Sequence, residues 1–140
     1  MKIIDFVKTG SVFGIGCGRG FNEAKSVIGA PLRVSLSRHP EIHSYGVVQI
    51  YVQEDVIYGI SLVISKHRQR ESVLDIEDCD DFLEVPLERF VKLLKRSSVG
   101  SKALNKFNQM VLDNNVTAQF QDGVLIGLTI RDRSVLPASA

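Results

Sequence analysis

The sequence predicts an α+β domain in which helices cover one face of an antiparallel sheet. Two segments alternate apolar and polar residues on both sides of a short polar turn, which is typical of β-hairpins. Each hairpin follows a stretch whose apolar residues have helical spacing. The 140 residues suffice for one core, so we expect a single domain over residues 1–133 and a frayed tail over 134–140.

The first half begins with short, glycine-rich elements. Residues 3–15 predict a small strand pair or a strand and a loop, and the alternating glycines of 14–20 exclude regular structure there. Apolar residues at helical spacing predict a helix over 21–28, which Pro31 prevents from continuing.

The first hairpin is the clearest pattern in the chain. A short strand over 32–36 and a loop over 37–44 are expected to lead into it. Apolar residues then alternate with polar ones through 48–65, interrupted by a polar turn at 54–55. Residues 66–71 are expected to form a polar break.

The second half repeats the order of helix and hairpin. Pro86 suits the first turn of a helix that should end near Ser97, and a second helix is expected over 102–113. The last hairpin spans 116–130, and its Asp-Gly pair at 122–123 favours a type I′ turn.

The two hairpins align with each other without a gap. When Val48 is placed on Val116, the apolar positions coincide and Gly59 falls on Gly127. A glycine inside a strand marks a bulge, a bend or a close backbone approach. We therefore expect two repeated helix-plus-hairpin units, about 11–65 and 86–131, with their helices on one face of the sheet. The alternative is that the hairpins align only because any two amphipathic hairpins resemble each other loosely.

Charge and cysteine content limit the classes of partner. A net charge of +1 gives no general attraction for nucleic acid or anionic lipid, so direct nucleic-acid binding is not expected. Cys17 and Cys79 do not form a disulfide framework, and the N-terminal apolar stretch is too short for a signal peptide. Without any apolar run of ~18 residues, we expect a cytoplasmic protein that does not enter a membrane.

Catalytic, cofactor and metal motifs are missing from the sequence. Arg19 and Phe21 stand where a dinucleotide-binding loop needs glycine, although backbone amides near residue 20 remain a candidate anion site. Pro40 separates His39 from His43, and no cysteine pair supports a zinc site. We expect no cofactor, no metal and no enzymatic activity.

Neither cysteine has the surroundings of a catalytic nucleophile. Cys17 has no evident base beside it in the sequence. Cys79 lies among carboxylates, which raise the pKa of a thiol.

One run of acidic residues, which we name the acidic segment, is the most distinctive polar feature. Its acidic residues are Asp75, Glu77, Asp78, Asp80, Asp81 and Glu84. It is not an EF-hand loop, because an aspartate stands where that loop needs glycine. One interpretation is that these acids are solvated residues whose charge stabilises the N-terminus of the following helix. The alternative is that they form a negative patch that docks a basic protein surface.

The order of short motifs resembles a family of small bacterial proteins. The residues concerned are the stretches 11–16 (SVFGIG), 28–31 (IGAP) and 45–50 (YGVVQI), followed by the second hairpin. In these features the chain is similar to immunity proteins of polymorphic toxin systems, including contact-dependent growth inhibition. The shared positions are structural glycines, prolines and core residues, so the resemblance assigns no functional residue.

The resemblance implies a stoichiometric inhibitor that binds a cognate toxin domain in the cytoplasm. Apart from the resemblance, we expect a monomer outside that complex, although the sequence does not determine the oligomeric state. Our hypothesis is that the acidic segment contacts the basic cleft of a nuclease-type toxin, where it competes with phosphate. A regulatory or adaptor module and a secretion chaperone, both without catalytic activity, are the alternatives.

Overall fold

The computed structural model describes residues 1–35 and 40–132, and these contain five helices and seven strands. The helices are α1 (Ile3–Thr9), α2 (Phe21–Ile28), α3 (Lys66–Glu71), α4 (Cys79–Phe82) and α5 (Leu87–Arg96). The strands are β1 (Arg33–Val34), β2 (Glu41–Ser44), β3 (Val48–Gln53), β4 (Val56–Val63), β5 (Gln109–Val111), β6 (Thr117–Gln121) and β7 (Val124–Arg131). No described helix has the length and apolar character needed to cross a bilayer. The tail expected at 134–140 lies outside the described residues.

The strands form one antiparallel sheet in the order β1-β2-β3-β4-β7-β6-β5. This confirms the α+β class and the antiparallel sheet. The hairpins β3–β4 and β6–β7 form where the alternation predicts them, and they meet at the centre of the sheet through β4 and β7.

The two hairpins have the same strand register. Gln49 pairs with Ser61 in the first hairpin, and Thr117 pairs with Thr129 in the second. A bulge interrupts the first ladder directly after Tyr51 and the second directly after Gln119, the position that the alignment places on Tyr51. At the centre of the sheet, Ser61 pairs with Thr129, so matching positions of the two hairpins lie opposite each other.

The matched glycines lie where two backbones approach closely, as expected. A Cβ on Gly59 would lie 3.4 Å from the carbonyl oxygen of Ile130 and 3.3 Å from the ring of Tyr51. A Cβ on Gly127 would lie 3.2 Å from the carbonyl oxygen of Leu62. The two contacts are reciprocal across the central strand pair, which explains why both strands carry glycine there.

The turn of each hairpin accepts a hydrogen bond from the first backbone N–H of a helix. The Phe21 N–H of α2 donates to the carbonyl of Asp55 at 2.7 Å, and the Leu87 N–H of α5 donates to the carbonyl of Gly123 at 3.0 Å. These bonds satisfy amides that a helix leaves unpaired at its N-terminus and anchor each helix to its hairpin.

The core lies between one face of the sheet and helices α1, α2 and α5. The Phe90 ring of α5 meets the Phe120 ring of β6 edge-on at 5.6 Å, and the Phe21 ring of α2 lies 4.2 Å from that of His43 on β2. The largest fully buried side chains include Phe6, Tyr45, Ile50, Ile60, Leu62, Phe90, Leu94 and Leu128.

The strand pair expected within residues 3–15 is wrong for its first part, which is helix α1. Ile3, Phe6 and Val7 are fully buried, and their spacing is that of one helix face. The short apolar run fits a strand equally well in isolation. A carboxylate from the acidic segment binds the first amides of this helix and favours the helical form.

Two polar segments that were expected to lack regular structure contain it. Glu41–Ser44 is strand β2, which pairs with β3 along its whole length. Lys66–Glu71 is helix α3, whose first turn is capped because the Arg68 N–H donates to the Ser65 hydroxyl at 3.1 Å. Pairing and capping, rather than apolar periodicity, determine both elements.

The helix expected at 102–113 is also wrong, because this region forms strand β5 with the preceding segment alongside it. The Lys102 N–H donates to the carbonyl of Val111 at 2.9 Å. The side-chain oxygen of Asn105 accepts the N–H groups of Phe107 and Gln109 at 2.9 and 3.0 Å. Asparagine competes with the helical hydrogen-bond pattern in this way, and the turn redirects the chain into β5.

Helix α3 departs from the expectation that the helices pack on one face. Arg68 of α3 donates to the Ser44 hydroxyl at 3.2 Å, and Glu71 pairs with Arg33, the strand partner of Ser44. Side chains alternate along a strand, so Ser44 faces away from the side on which its neighbour His43 meets α2. Helix α3 therefore contacts the opposite face at the β1–β2 edge.

Candidate functional site

The acidic segment surrounds α4 and is divided between two roles. Asp78 is half-buried and accepts the Ile3 N–H at 2.5 Å and the Ile4 N–H at 3.2 Å, one with each carboxylate oxygen. It therefore caps the N-terminus of α1, where a negative charge is also favoured by the helix dipole. Asp78 therefore has a structural role in the fold.

The other acids of the segment remain on the surface. Asp80 accepts a hydrogen bond from the Gln69 amide at 2.9 Å. The remaining exposed acids are Asp75, Glu77, Asp81 and Glu84. Among the described residues, none of these carboxylates forms an ion pair. The structure thus keeps most of the negative charge of the segment exposed.

The basic residues just upstream do not neutralise this charge. Arg33, His67 and Arg68 surround Glu71, whose carboxylate lies 2.5 Å from the Arg33 guanidinium. The hydrogen bond from Arg33 is the main reason why the pKa of Glu71 is lowered. Arg33, His67 and Arg68 thus pair with Glu71, and among the described residues none of them pairs with the acidic segment.

Both cysteines are held in the protonated form at neutral pH. Burial, and then the charge of Asp132, raise the pKa of Cys17 to about 11. Burial likewise raises the pKa of Cys79, with smaller contributions from Asp80 and Asp78. A thiol that stays protonated is a poor nucleophile.

The candidate anion site at the start of α2 is occupied by the chain itself. The Asn22 N–H donates to the Asp55 carboxylate at 3.0 Å, and the neighbouring Phe21 N–H donates to the Asp55 carbonyl. The glycine-rich segment before the helix is fixed to β4, since Gly18 N–H donates to the carbonyl of Ile57 at 2.7 Å. This segment is therefore a connection between loop, helix and hairpin turn.

The histidines that the structure describes do not form a shared site. His43 is 7% exposed, and its Nε2 lies 2.9 Å from the Glu41 carboxylate. His67 pairs with Glu71 on the surface of α3, and His39 lies outside the described residues. Within 1–35 and 40–132, no group of three metal-ligating side chains is placed to hold an ion.

A groove on the uncovered side of the sheet was not recognised from the sequence. We name this side of β3–β7 the open face; its groove has a volume of about 920 Å³. Residues that line it include Tyr51, Ser61, Gln109, Gln119, Thr129 and Arg131. The signal was present in the polar positions of both alternating hairpins, but such positions usually indicate only solvent exposure.

The open face is held together by uncharged hydrogen bonds. The Ser61 and Thr129 hydroxyls lie 2.8 Å apart at the centre of the sheet. The Gln109 amide donates to the Gln119 side-chain oxygen at 2.9 Å. Arg131 lies above the Tyr51 ring at 6.0 Å, the outer limit of a cation–π contact.

Neither the acidic segment nor the open face can be interpreted through a relative. Comparison with known proteins finds no matching family model, no matching curated protein and no matching solved structure.

Proposed function

We propose that this protein is an immunity protein that binds a cognate toxin domain and neutralises it in the cytoplasm. The proposal begins with the short motifs that resemble such proteins, and it requires a surface free to dock another protein. The exposed acids within α4 and on either side of it are such a surface. Catalysis is not part of the proposed role.

The observation that carries the proposal is the absence of ion pairs at the acidic segment within the described residues. Asp75, Glu77, Asp81 and Glu84 stay exposed while nearby cations bind Glu71. A concentrated negative patch accelerates association with a basic surface and rejects partners of like charge. The phosphate-binding cleft of a nuclease-type toxin is a basic surface of this kind.

The scaffold that we propose for this role is a pair of helix-plus-hairpin units. Equal registers, a bulge at the same position and the equivalent bonds from Phe21 and Leu87 to the two hairpin turns support it. The units differ before their hairpins, where the first has α2 followed by two strands and the second has α5 followed by one.

Growth rescue tests the function directly. The probe is the toxic C-terminal domain of a secreted protein encoded beside this gene, co-expressed with the full chain. Rescue of growth and a stable one-to-one complex are expected. Toxicity that persists in the presence of well-expressed, folded protein, without a complex, would contradict the proposal.

Charge reversal tests the docking surface separately. The double variant Asp81→Lys/Glu84→Lys should slow association with the toxin domain and weaken its dependence on salt. A control with the same change in charge is Glu23→Lys/Glu54→Lys, in which the exposed acids lie elsewhere. Equal association rates of the two double variants across a range of salt would disprove the role of the acidic segment.

A further inference from the structure

The open face is not flat but contains a groove that is partly open to solvent. Its floor includes small residues at the centre of the sheet, with Ser61 of β4 opposite Thr129 of β7 and Gly127 also on β7. The larger side chains of Tyr51, Gln109, Gln119 and Arg131 also line the groove. The resulting volume of about 920 Å³ is within the range of grooves that hold ligands or peptide segments.

The loop beside this groove carries an exposed aromatic side chain. Phe107 is 64% exposed, the highest value among the aromatic residues that the structure describes as exposed. Its backbone is nevertheless held firmly, because its N–H donates to the Asn105 side chain and its carbonyl accepts the Gln119 amide at 3.3 Å. Gln119 lines the groove, so Phe107 is fixed at its edge.

A fixed and exposed aromatic residue suits an interface better than a folding role. Phe107 contributes little to the core, and its exposure to water is unfavourable for the isolated protein. Aromatic side chains are the commonest anchors of protein interfaces, and a rigid backbone lowers the entropy lost on binding.

The charges around the groove indicate the chemistry of the occupant. Arg131 lines the groove and lies above Tyr51. Lys106, 5.1 Å from the Phe107 ring, and Lys102, whose N–H donates to Val111 of β5, belong to the segment beside it. In the part of the chain that the structure describes, these three cations form no ion pair.

The acids of the same region have contacts of their own. Asp113 accepts the Gly100 N–H at 2.7 Å, and Asp132 lies beside Cys17. The three cations outnumber these two acids, so the region offers positive charge to a partner's carboxylates.

We propose that the open face is a second interaction surface, which binds an acidic segment of a partner protein with an apolar side chain against Phe107. Uncharged hydroxyls and amides on the floor offer hydrogen bonds to a peptide backbone, and the surrounding cations pair with its carboxylates. This surface is distinct from the acidic segment, which selects partners of opposite charge.

A polypeptide fits the groove better than a single-stranded nucleic acid does. Nucleic acid requires a continuous cationic path and several aromatic platforms. Here the floor is uncharged, and only two aromatic residues, Tyr51 and Phe107, are named at the groove, one of them with Arg131 6.0 Å above its ring.

A random peptide library displayed on phage tests the proposal without a known partner. Selection on the immobilised full chain should enrich peptides that combine Asp or Glu with an aromatic or aliphatic residue. The best peptide should bind about tenfold or more weakly to Phe107→Ser and to Arg131→Gln. Its affinity should also fall as salt is raised.

The matched control is Val27→Ser, which removes another exposed apolar side chain, 67% exposed on α2, and should leave binding unchanged. No enrichment, enrichment of basic peptides, or equal binding to the Phe107→Ser/Arg131→Gln double variant would overturn the proposal. Tighter binding of a thymidine 12-mer than of the best peptide would overturn it as well.

This test is independent of the proposed immunity function. Peptide binding at the open face should be unchanged in Asp81→Lys/Glu84→Lys, and growth rescue is measured without any peptide. A failure of peptide binding therefore contradicts only the proposal for the open face, and a failure of growth rescue contradicts only the immunity function. Circular dichroism of each variant verifies that its fold is retained.

Discussion

Asp78 and Asp81 are three positions apart in the acidic segment, yet the fold uses them differently. Asp78 accepts two backbone N–H groups at the start of α1, whereas Asp81 is exposed. A carboxylate that accepts such bonds stabilises the folded state, while an exposed carboxylate contributes little to it. Composition alone does not distinguish the two residues.

Replacement of these two acids should separate their roles. Asp78→Ala should lower the free energy of unfolding by about 1–2 kcal/mol, because it leaves the first amides of α1 without a side-chain acceptor. Asp81→Ala should change it by less than about 0.5 kcal/mol. Urea denaturation followed by circular dichroism measures both; equal effects would refute the capping role.

At the scale of the elements, glycine is required at some turns far more strictly than at others. Gly46, which follows β2, has a φ of +101°, and a Cβ there would lie 2.3 Å from the Cα of Ser72. Gly123 in the β6–β7 turn has a φ of +77° but open space around it. Both need the left-handed conformation, but only Gly46 also needs the missing side chain.

Alanine should therefore destabilise the two turns to different degrees. Gly123→Ala should cost about 1–2 kcal/mol through its backbone conformation alone. Gly46→Ala should cost about 3 kcal/mol or more, because the segment after α3 has to move. The free energies of unfolding in urea test this order, and a smaller loss for Gly46→Ala would show that the approach of Ser72 is relaxed easily.

At the scale of the whole molecule, the stability of the fold should decrease in alkali because the Tyr45 hydroxyl and the Cys17 thiol are shielded from water. Tyr45 donates its hydroxyl to the carbonyl of Gly29 at 2.9 Å, and burial raises its pKa from 10.0 to about 12. The pKa of Cys17 is raised from 9.0 to about 11. In both cases the folded state disfavours the ionised form more than the unfolded state does.

The free energy of unfolding should therefore be independent of these groups below pH 9 and decrease as the pH rises through about 11 and 12. Cys17→Ser should reduce the earliest part of the decrease without abolishing it, because burial also raises the pKa of Cys79, and the tyrosines Tyr45 and Tyr58 maintain the later part. Urea midpoints measured between neutral and alkaline pH provide the test. An identical decrease in the variant would exclude Cys17 as a cause.

Periodicity in the sequence correctly predicted the antiparallel sheet, both hairpins, and the helices α2 and α5. These elements have apolar residues at a regular spacing, turn residues such as Asp-Gly at 122–123, or both. Such patterns depend only on residues that are close together in the sequence. The reciprocal glycines Gly59 and Gly127 were also visible in the alignment of the hairpins, because their position repeats.

Tertiary structure alone decided the rest. Helix α1 is stabilised by an aspartate 75 positions away, and β5 depends on a turn built by Asn105 and on its pairing with β6. The open face arises because polar and small residues of separate hairpins become neighbours across β4 and β7. Local patterns fix what a segment can form, whereas contacts between distant segments select among the alternatives and bring surface residues together.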